Sequence, residues 1–249
     1  MSGAARRAPN VLSVFSVRSR KDRLMSSASV SAATVSAFDG ARIDGSLFVE
    51  VTDLAERTRW LNTLVVWSTD AGLLVFAVLV LMAWMRARRR DSSVMGAVVL
   101  VPIAVVVSFA VAEIVKQVAA EPRPCRALPH AYILETCPAP TDFAFPSGHT
   151  TVTVAVAVAL WFTSRRLGAV AAVFAVLEAG TRVYVGGHYP HDVVAAAVLS
   201  AAVAYLLSRA LHRRSTIVVT RLRRGHLAPL LAATDPAREA TGPRVARSR

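Results

Sequence analysis

The apolar residues of this 249-residue sequence come in blocks, and block length is the feature that most constrains the fold. A helix needs about 20 apolar residues to cross roughly 30 Å of hydrocarbon. Several runs of Ala, Val and Leu reach that length, and they do so without the spacing of an amphipathic helix or strand. The charges gather in the segments between them. Hydrophobic residues make up 54% of the chain and mean hydropathy is +0.47, values that fit a membrane protein better than a soluble core. The expected fold is an all-α integral membrane bundle.

Five spans are expected, at about 62–85, 93–115, 149–164, 168–185 and 191–210. Residues 43–59 precede them and read as a short amphipathic helix lying at the interface. Arginine clusters at 86–90, 165–166 and 209–224 fall on one side of the membrane under this count. Segments 116–148 and 186–190 fall on the other. The positive-inside rule makes the arginine side cytoplasmic and the opposite side extracytoplasmic, at a plasma membrane. The basic N-terminal tail is the exception, since the same count leaves it outside.

Three regions follow: a polar tail over 1–42, a membrane domain over 43–214 and a basic tail over 215–249, both tails expected to be disordered. The first 40 residues lack the continuous apolar centre of a secretory signal, and Met25 offers an alternative start to Met1. The net charge of +13 does not imply a nucleic acid partner. Most arginines flank apolar blocks, where topology and anionic lipid account for them. Cys125 and Cys137 are the two cysteines and share one outside loop. In an oxidising compartment they can close that loop as a disulfide, the alternative being two unpaired thiols.

Three polar clusters lie far apart in sequence, yet the topology carries them to one membrane face. They are Lys116 with Arg123 and Pro124 (KQVAAEPRP), Pro146 to His149 (PSGH), and TRVYVGGHYPHD with Arg182, His188 and Asp192. Lys116, Arg123 and Arg182 offer three cations to one small anion, and arginine grips phosphate through paired hydrogen bonds. Ser147 and Gly148 open a span, so their amides point outward from a helix N-terminus, a natural phosphate site. His188 and His149 can supply a nucleophile and a proton donor near neutral pH. Asp192, four residues after His188, can accept its Nδ1–H and leave Nε2 free to attack.

The pattern K-x6-RP, PSGH and [S/T]R-x5-H-x3-D resembles the three-part signature of the type 2 phosphatidic-acid phosphatase and haloperoxidase superfamily, over roughly residues 45–210. The resemblance implies a phosphohistidine intermediate on His188, oriented by Asp192, with His149 protonating the leaving oxygen. Lys116, Arg123, Ser147, Gly148 and Arg182 would hold the phosphoryl oxygens. Thr181 stands where the superfamily usually has serine, a departure that keeps the hydroxyl and adds a methyl group. No metal or other cofactor is expected, because the cations supply the charge that phosphoryl transfer needs. The outside loops also show no carboxylate cluster of the kind magnesium requires.

Within the superfamily, the interfacial helix, the five spans and the compact loops are most similar to bacterial undecaprenyl-pyrophosphate phosphatases of the bacitracin-resistance type. The expected substrate is therefore an outer-leaflet lipid pyrophosphate used in cell-wall carrier recycling. Phosphatidic acid and phosphatidylglycerophosphate are the alternatives. A vanadate-dependent peroxidase would be soluble, and a non-catalytic lipid-binding or transport protein would lack the nucleophile or acid. Glu178, four residues before Arg182, is expected to orient it through a helical ion pair. His130 and His191 read as solvated bystanders, and Tyr184 and Tyr189 as interfacial aromatics.

Overall fold

The computed structural model describes residues 39–232, and among them all regular structure is helical. Expectations placed on residues 1–38 and 233–249 lie outside the described residues. The helices are α1 (Gly40–Arg57), α2 (Arg59–Ala87), α3 (Ser92–Ala119), α4 (Pro124–Ala127), α5 (Gly148–Trp161), α6 (Arg165–Tyr184), α7 (Pro190–Leu222) and α8 (Ala228–Leu231).

Four stretches are long and apolar enough to cross a membrane: Arg59–Ala87, Ser92–Ala127, Arg165–Tyr184 and Pro190–Leu222. Their apolar residues run all the way round. One face meets the bundle and the other presents Leu64, Leu74, Val78, Leu81, Val106 and Leu206 outward, as lipid contact demands. The core between them uses small residues, with Ala104, Ala155, Ala159, Ala171, Ala175 and Ala204 buried. In lipid, helices gain little from hydrophobicity and associate through close backbone approach, which small side chains permit.

The third expected span differs from the others. α5 has 14 residues, about 21 Å at 1.5 Å per residue, short of the hydrocarbon thickness. It lies against α3, α6 and α7 and buries Thr150, Thr151, Thr153, Ala155, Ala159 and Leu160. Enclosed by protein, it has no need to match the bilayer by its own length. The turn that follows satisfies its own polar groups. Ser164 N donates to Leu160 O at 2.8 Å, Thr163 Oγ1 donates to the same carbonyl at 2.8 Å, and the Ser164 hydroxyl accepts from Leu167 N.

α1 is amphipathic, with Phe48, Thr52 and Ala55 buried and Ile43, Leu47 and Leu54 exposed. Its helical geometry breaks at Asp44 (φ −144°, ψ 26°). Phe48 packs on Tyr189 with ring centroids 5.2 Å apart, which seats α1 on the head of α7. Tyr189 is thus fully buried rather than interfacial. Tyr184 also makes a structural bond: its hydroxyl lies 2.6 Å from Thr58 Oγ1 and donates to Asn62 Oδ1 at 2.8 Å, tying α6 to the α1–α2 junction. At the far end α7 continues past residue 214 to Leu222, and Leu231 is buried beyond it. Arg223 holds that end by donating to the carbonyls of Ala87, Arg90 and Leu231.

α3 and α7 approach closely at Gly96, where a Cβ would lie 2.9 Å from the Thr216 amide nitrogen and 3.0 Å from Ser215 Oγ. Gly96→Leu should lower the thermal midpoint in detergent by the equivalent of about 1–3 kcal/mol, the usual cost of overpacking. Gly180→Leu is the control, because a Cβ at Gly180 meets nothing within 4 Å.

Candidate active site

The C-terminal ends of α3 and α6 and the N-terminal ends of α5 and α7 point to one face of the bundle, and the three sequence clusters sit on them. α3 ends where Ala120 adopts a left-handed conformation (φ 48°). This throws the chain across the bundle end, so Lys116 stays in the last helical turn while Arg123 enters from the side. Cys125 and Cys137 are joined by a disulfide that closes the loop carrying Glu135. After α6 the chain turns at Gly186 (φ +82°), where a Cβ would also lie 2.9 Å from Ile133. Only glycine is at ease there.

α7 starts with Pro190 at its first position and Asp192 at its third. Proline suits a position whose N–H has no helical partner. The Asp192 carboxylate reaches back to accept from the Tyr189 amide through Oδ2 at 2.9 Å. That oxygen also faces His188 Nδ1 at 3.4 Å. The Asp192 carbonyl accepts from Ser147 N at 3.3 Å, which joins the heads of α5 and α7.

His188 is 2% exposed. Arg123 Nη1 donates to its Nε2 at 3.0 Å and to Gly187 O at 3.0 Å. Arginine can only donate, so this contact makes Nε2 an acceptor and puts the ring proton on Nδ1, toward Asp192. Burial, followed by the charges of Arg123, Arg182 and Lys116 and by His149, holds the imidazole well below the usual histidine range. His188 is therefore neutral at pH 7, with a lone pair on Nε2.

The cations are each matched by a carboxylate. Lys116 Nζ lies 2.9 Å from Glu113 Oε1 and 3.7 Å from Asp142 Oδ1. Arg123 Nη2 donates to Asp142 Oδ1 at 3.0 Å. Arg182 Nη2 donates to both oxygens of Glu135, at 2.8 and 2.7 Å. A buried charge without a partner is costly, and these pairs remove that cost. A cavity of about 310 Å³ opens beside Arg182 and Glu135, with Asp70 on its wall.

Ser147 is buried, and its side chain makes no cap bond, which leaves the first-turn amides of α5 without an internal acceptor. Gly148 and His149 follow it in the first turn of α5, and His149 is half-buried. His149 lies within electrostatic reach of Arg182, Glu135, Asp70 and Arg123. All of the expected catalytic and phosphate-binding residues therefore gather at one end of the bundle.

Three sequence expectations need correction. Arg182 pairs with Glu135, not with Glu178. Glu178 is turned toward α2, where its Oε2 lies 2.5 Å from the Cβ position of Gly72. The Thr181 hydroxyl donates to the Glu178 carbonyl at 2.7 Å, so it is engaged within its own helix. His191 is no bystander. Its backbone N donates to Asp44 Oδ2 at 2.7 Å, its Nδ1 lies 2.8 Å from Asp44 Oδ1, and its Nε2 lies 3.1 Å from Glu121 Oε1.

Sequence reasoning also missed the acidic partners Asp44, Glu121, Glu135 and Asp142. One signal was available: Glu135 and Asp142 are the two acids in segment 122–147, which faces three expected cations. Folding also assembles carboxylates that sequence left scattered. Ligand atoms of Glu121, His191 and Asp192 lie within 4.8 Å of one another, a spacing that suits a cation. Both ring nitrogens of His191 are directed at carboxylate oxygens, however, which spends the lone pair that a metal would need.

Residues 97–216 match the model of the PAP2 superfamily, a range that contains Lys116, Arg123, the PSGH segment, Arg182, His188 and Asp192. The chain is 27% identical over 169 residues to the undecaprenyl-diphosphatase BcrC of Bacillus subtilis, covering 66% of this chain and 81% of that protein. It is 38% identical over 109 residues to an undecaprenyl-diphosphatase of Sulfolobus acidocaldarius, covering 42% of this chain and 52% of the other. Among solved structures, a transmembrane PAP2-type phosphatidylglycerolphosphate phosphatase from Bacillus subtilis superposes with a TM-score of 0.52 at 20% identity. That match covers 68% of this chain and 86% of the other. At that identity the likeness concerns the fold.

Gly187 leaves room for the Arg182–Glu135 pair, since a Cβ there would run into Glu135 Oε2 and lie 2.9 Å from Arg182 Nη2. Gly187→Ala should push Glu135 off Arg182 and loosen the disulfide-closed loop. Limited proteolysis of that loop should then run several-fold faster than in the unmodified protein, and an unchanged rate would contradict the geometry.

Proposed function

We propose that this chain, which carries a PAP2 superfamily domain over residues 97–216, is a lipid phosphatase acting on a polyprenyl pyrophosphate. Undecaprenyl pyrophosphate, cleaved to its monophosphate and inorganic phosphate, is the substrate favoured by the two diphosphatase relatives. The observation that carries the reading is the state of His188: neutral, buried, with Nδ1 toward Asp192 and a lone pair on Nε2.

In this reading the terminal phosphate replaces the carboxylates on Lys116, Arg123 and Arg182 and meets the head of α5 at Ser147 and Gly148, where the first-turn amides have no side-chain cap. Arg123 passes from Nε2 to a phosphoryl oxygen. His188 Nε2 then forms a bond to phosphorus as the bond to the leaving oxygen breaks, and His149 gives its proton to that oxygen. The phosphorylated ring keeps its Nδ1–H, and the Asp192 carboxylate stabilises the positive charge that develops. Water, relieved of a proton by His149, attacks the phosphohistidine, which releases inorganic phosphate and restores Nε2. Thr181 and Glu178 take no direct part.

The catalytic domain extends from α1 through α7, beyond the 214 boundary expected from sequence. The substrate reaches the site from the outer leaflet of the cell membrane. Two observations support that side. The site end carries a disulfide, which persists in oxidising compartments. The arginine clusters at 86–90, 165–166 and 209–224 belong to the opposite end, where positive charge marks the cytoplasm.

The test is phosphate release by the detergent-purified full chain. Undecaprenyl pyrophosphate, phosphatidic acid and phosphatidylglycerophosphate are compared, with EDTA present throughout. The pyrophosphate should be preferred, vanadate should inhibit, and His188→Ala should lose activity by on the order of a thousandfold or more. His149→Ala should cost roughly 100- to 10,000-fold, the range for a general acid. Preference for a glycerolipid would keep the mechanism and overturn the substrate. Activity that survives His188→Ala would overturn the mechanism.

A further inference from the structure

Behind the catalytic pair lies a second polar cluster, which shares Asp192 with it and whose other members the reaction above does not use. His191 sits at its centre, stacked between Tyr189 (ring centroids 5.6 Å) and Phe145 (5.9 Å). Three carboxylates converge on it. Asp44 of α1 accepts from its backbone amide and faces Nδ1 at 2.8 Å. Glu121, from the loop after α3, faces Nε2 through both oxygens at 3.1 and 3.2 Å. Asp192 Oδ1 lies 3.3 Å from the same nitrogen.

An ionised carboxylate only accepts hydrogen bonds. A ring with carboxylate oxygens against both nitrogens is satisfied when both carry protons, which makes His191 an imidazolium. Its charge has a definite use. Glu121 and Asp192 have no exposed surface, and their oxygens lie within 4.8 Å of each other. Two buried like charges at that range cannot both persist without a cation between them. Among the described residues, the titratable groups facing His191 are these two, Asp44 and the stacked Tyr189, with His188 beyond Asp192. The Asp44 contact also extends the cluster to α1, whose helix breaks at that residue. At Gly40 a Cβ would meet Glu121 Oε1 and the Tyr189 ring, so α1 lies directly on the cluster.

We propose that His191 is a positioning residue: a buried imidazolium that lets Asp192 remain a carboxylate aimed at His188, and that links the seating of the interfacial helix α1 to the nucleophile. The inference rests on the assignment of His188 and Asp192 made above. In the absence of the cation, Glu121 and Asp192 share one negative charge. A protonated Asp192 no longer compensates the charge that His188 gains on attack.

Four forms are compared by the pH dependence of kcat/KM on one lipid, so that substrate ionisation is common to all. They are the unmodified chain, His191→Gln, Glu121→Gln and the double variant. His191→Gln should move the acid limb upward by at least about one unit, a loss on the order of tenfold at the pH where the unmodified protein is half-active. Glu121→Gln should move the limb down, and the double variant should return toward the unmodified profile. A purely structural role would instead lower the rate at every pH and give no rescue by Glu121→Gln. A limb that stays in place in both single variants overturns the proposal.

Infrared spectroscopy of the substrate-free protein at pH 7 provides a readout independent of activity. The carbonyl band of a protonated carboxyl should appear in His191→Gln and vanish in the double variant. Its absence from His191→Gln overturns the proposal even if no lipid is turned over. Failure of the unmodified protein to release phosphate, or survival of activity in His188→Ala, concerns the catalytic assignment instead. If His191→Gln does not fold, the downward shift in Glu121→Gln still decides the matter.

Discussion

The head of α7 is organised by one carboxylate with no exposed surface, and most of the site depends on where it lies. Asp192 caps its own helix by accepting from the Tyr189 amide, and the same oxygen faces His188. A side chain that caps a helix is held by the backbone it caps, so its direction is set before any ligand arrives. His188, one residue before the N-cap Tyr189, then has one ring nitrogen committed to Asp192 and the other presented to Arg123. The carbonyl of Asp192 accepts from Ser147 and brings the start of α5 to the same level. Helix capping and site assembly are here a single arrangement.

Much of this was legible in the sequence, because membrane spans and helix-end motifs are both local signals. The blocks of Ala, Val and Leu correspond to α2, α3 and α6 within a few residues and to the start of α7, which runs on to Leu222, beyond the expected end at 210. α5 was legible as an apolar run but not as a short helix, because apolarity does not reveal whether protein or lipid surrounds it. The spacing from His188 to Asp192 could be read as an i, i+4 relation. The acids that neutralise the cations could not. Glu135 and Asp142 sit in a loop without period, and their partners Arg182 and Arg123 are 47 and 19 residues away. Asp44 and His191 are separated by 147 residues, so their contact exists only once α1 has docked.

The case of Glu178 shows how a local rule fails. An i, i+4 pair with Arg182 is geometrically available on α6, but a more distant partner has taken the guanidinium. Glu135 binds it with two oxygens, and a bidentate carboxylate outcompetes a single helical contact worth a few tenths of a kcal/mol. Glu178 is left facing Gly72 across the α2–α6 seam. The lack of a Cβ at Gly72 is what lets its carboxylate fit there.

The paired cations also bear on how an anion can enter a site that is charge-balanced. Lys116, Arg123 and Arg182 are buried, whereas the side chains of their partners Asp142 and Glu135 are 41% and 29% exposed. Exposed carboxylates regain water at little cost when displaced, while buried cations left alone would cost far more. On the proposed reading, an incoming phosphate exchanges with carboxylates of the same sign, and the cations keep partners throughout. Glu121 and Asp192, with no exposed surface, have no such route to water. The acids near the site thus divide into two groups by exposure: one that can regain water when displaced, and one that stays buried around His188 and His191.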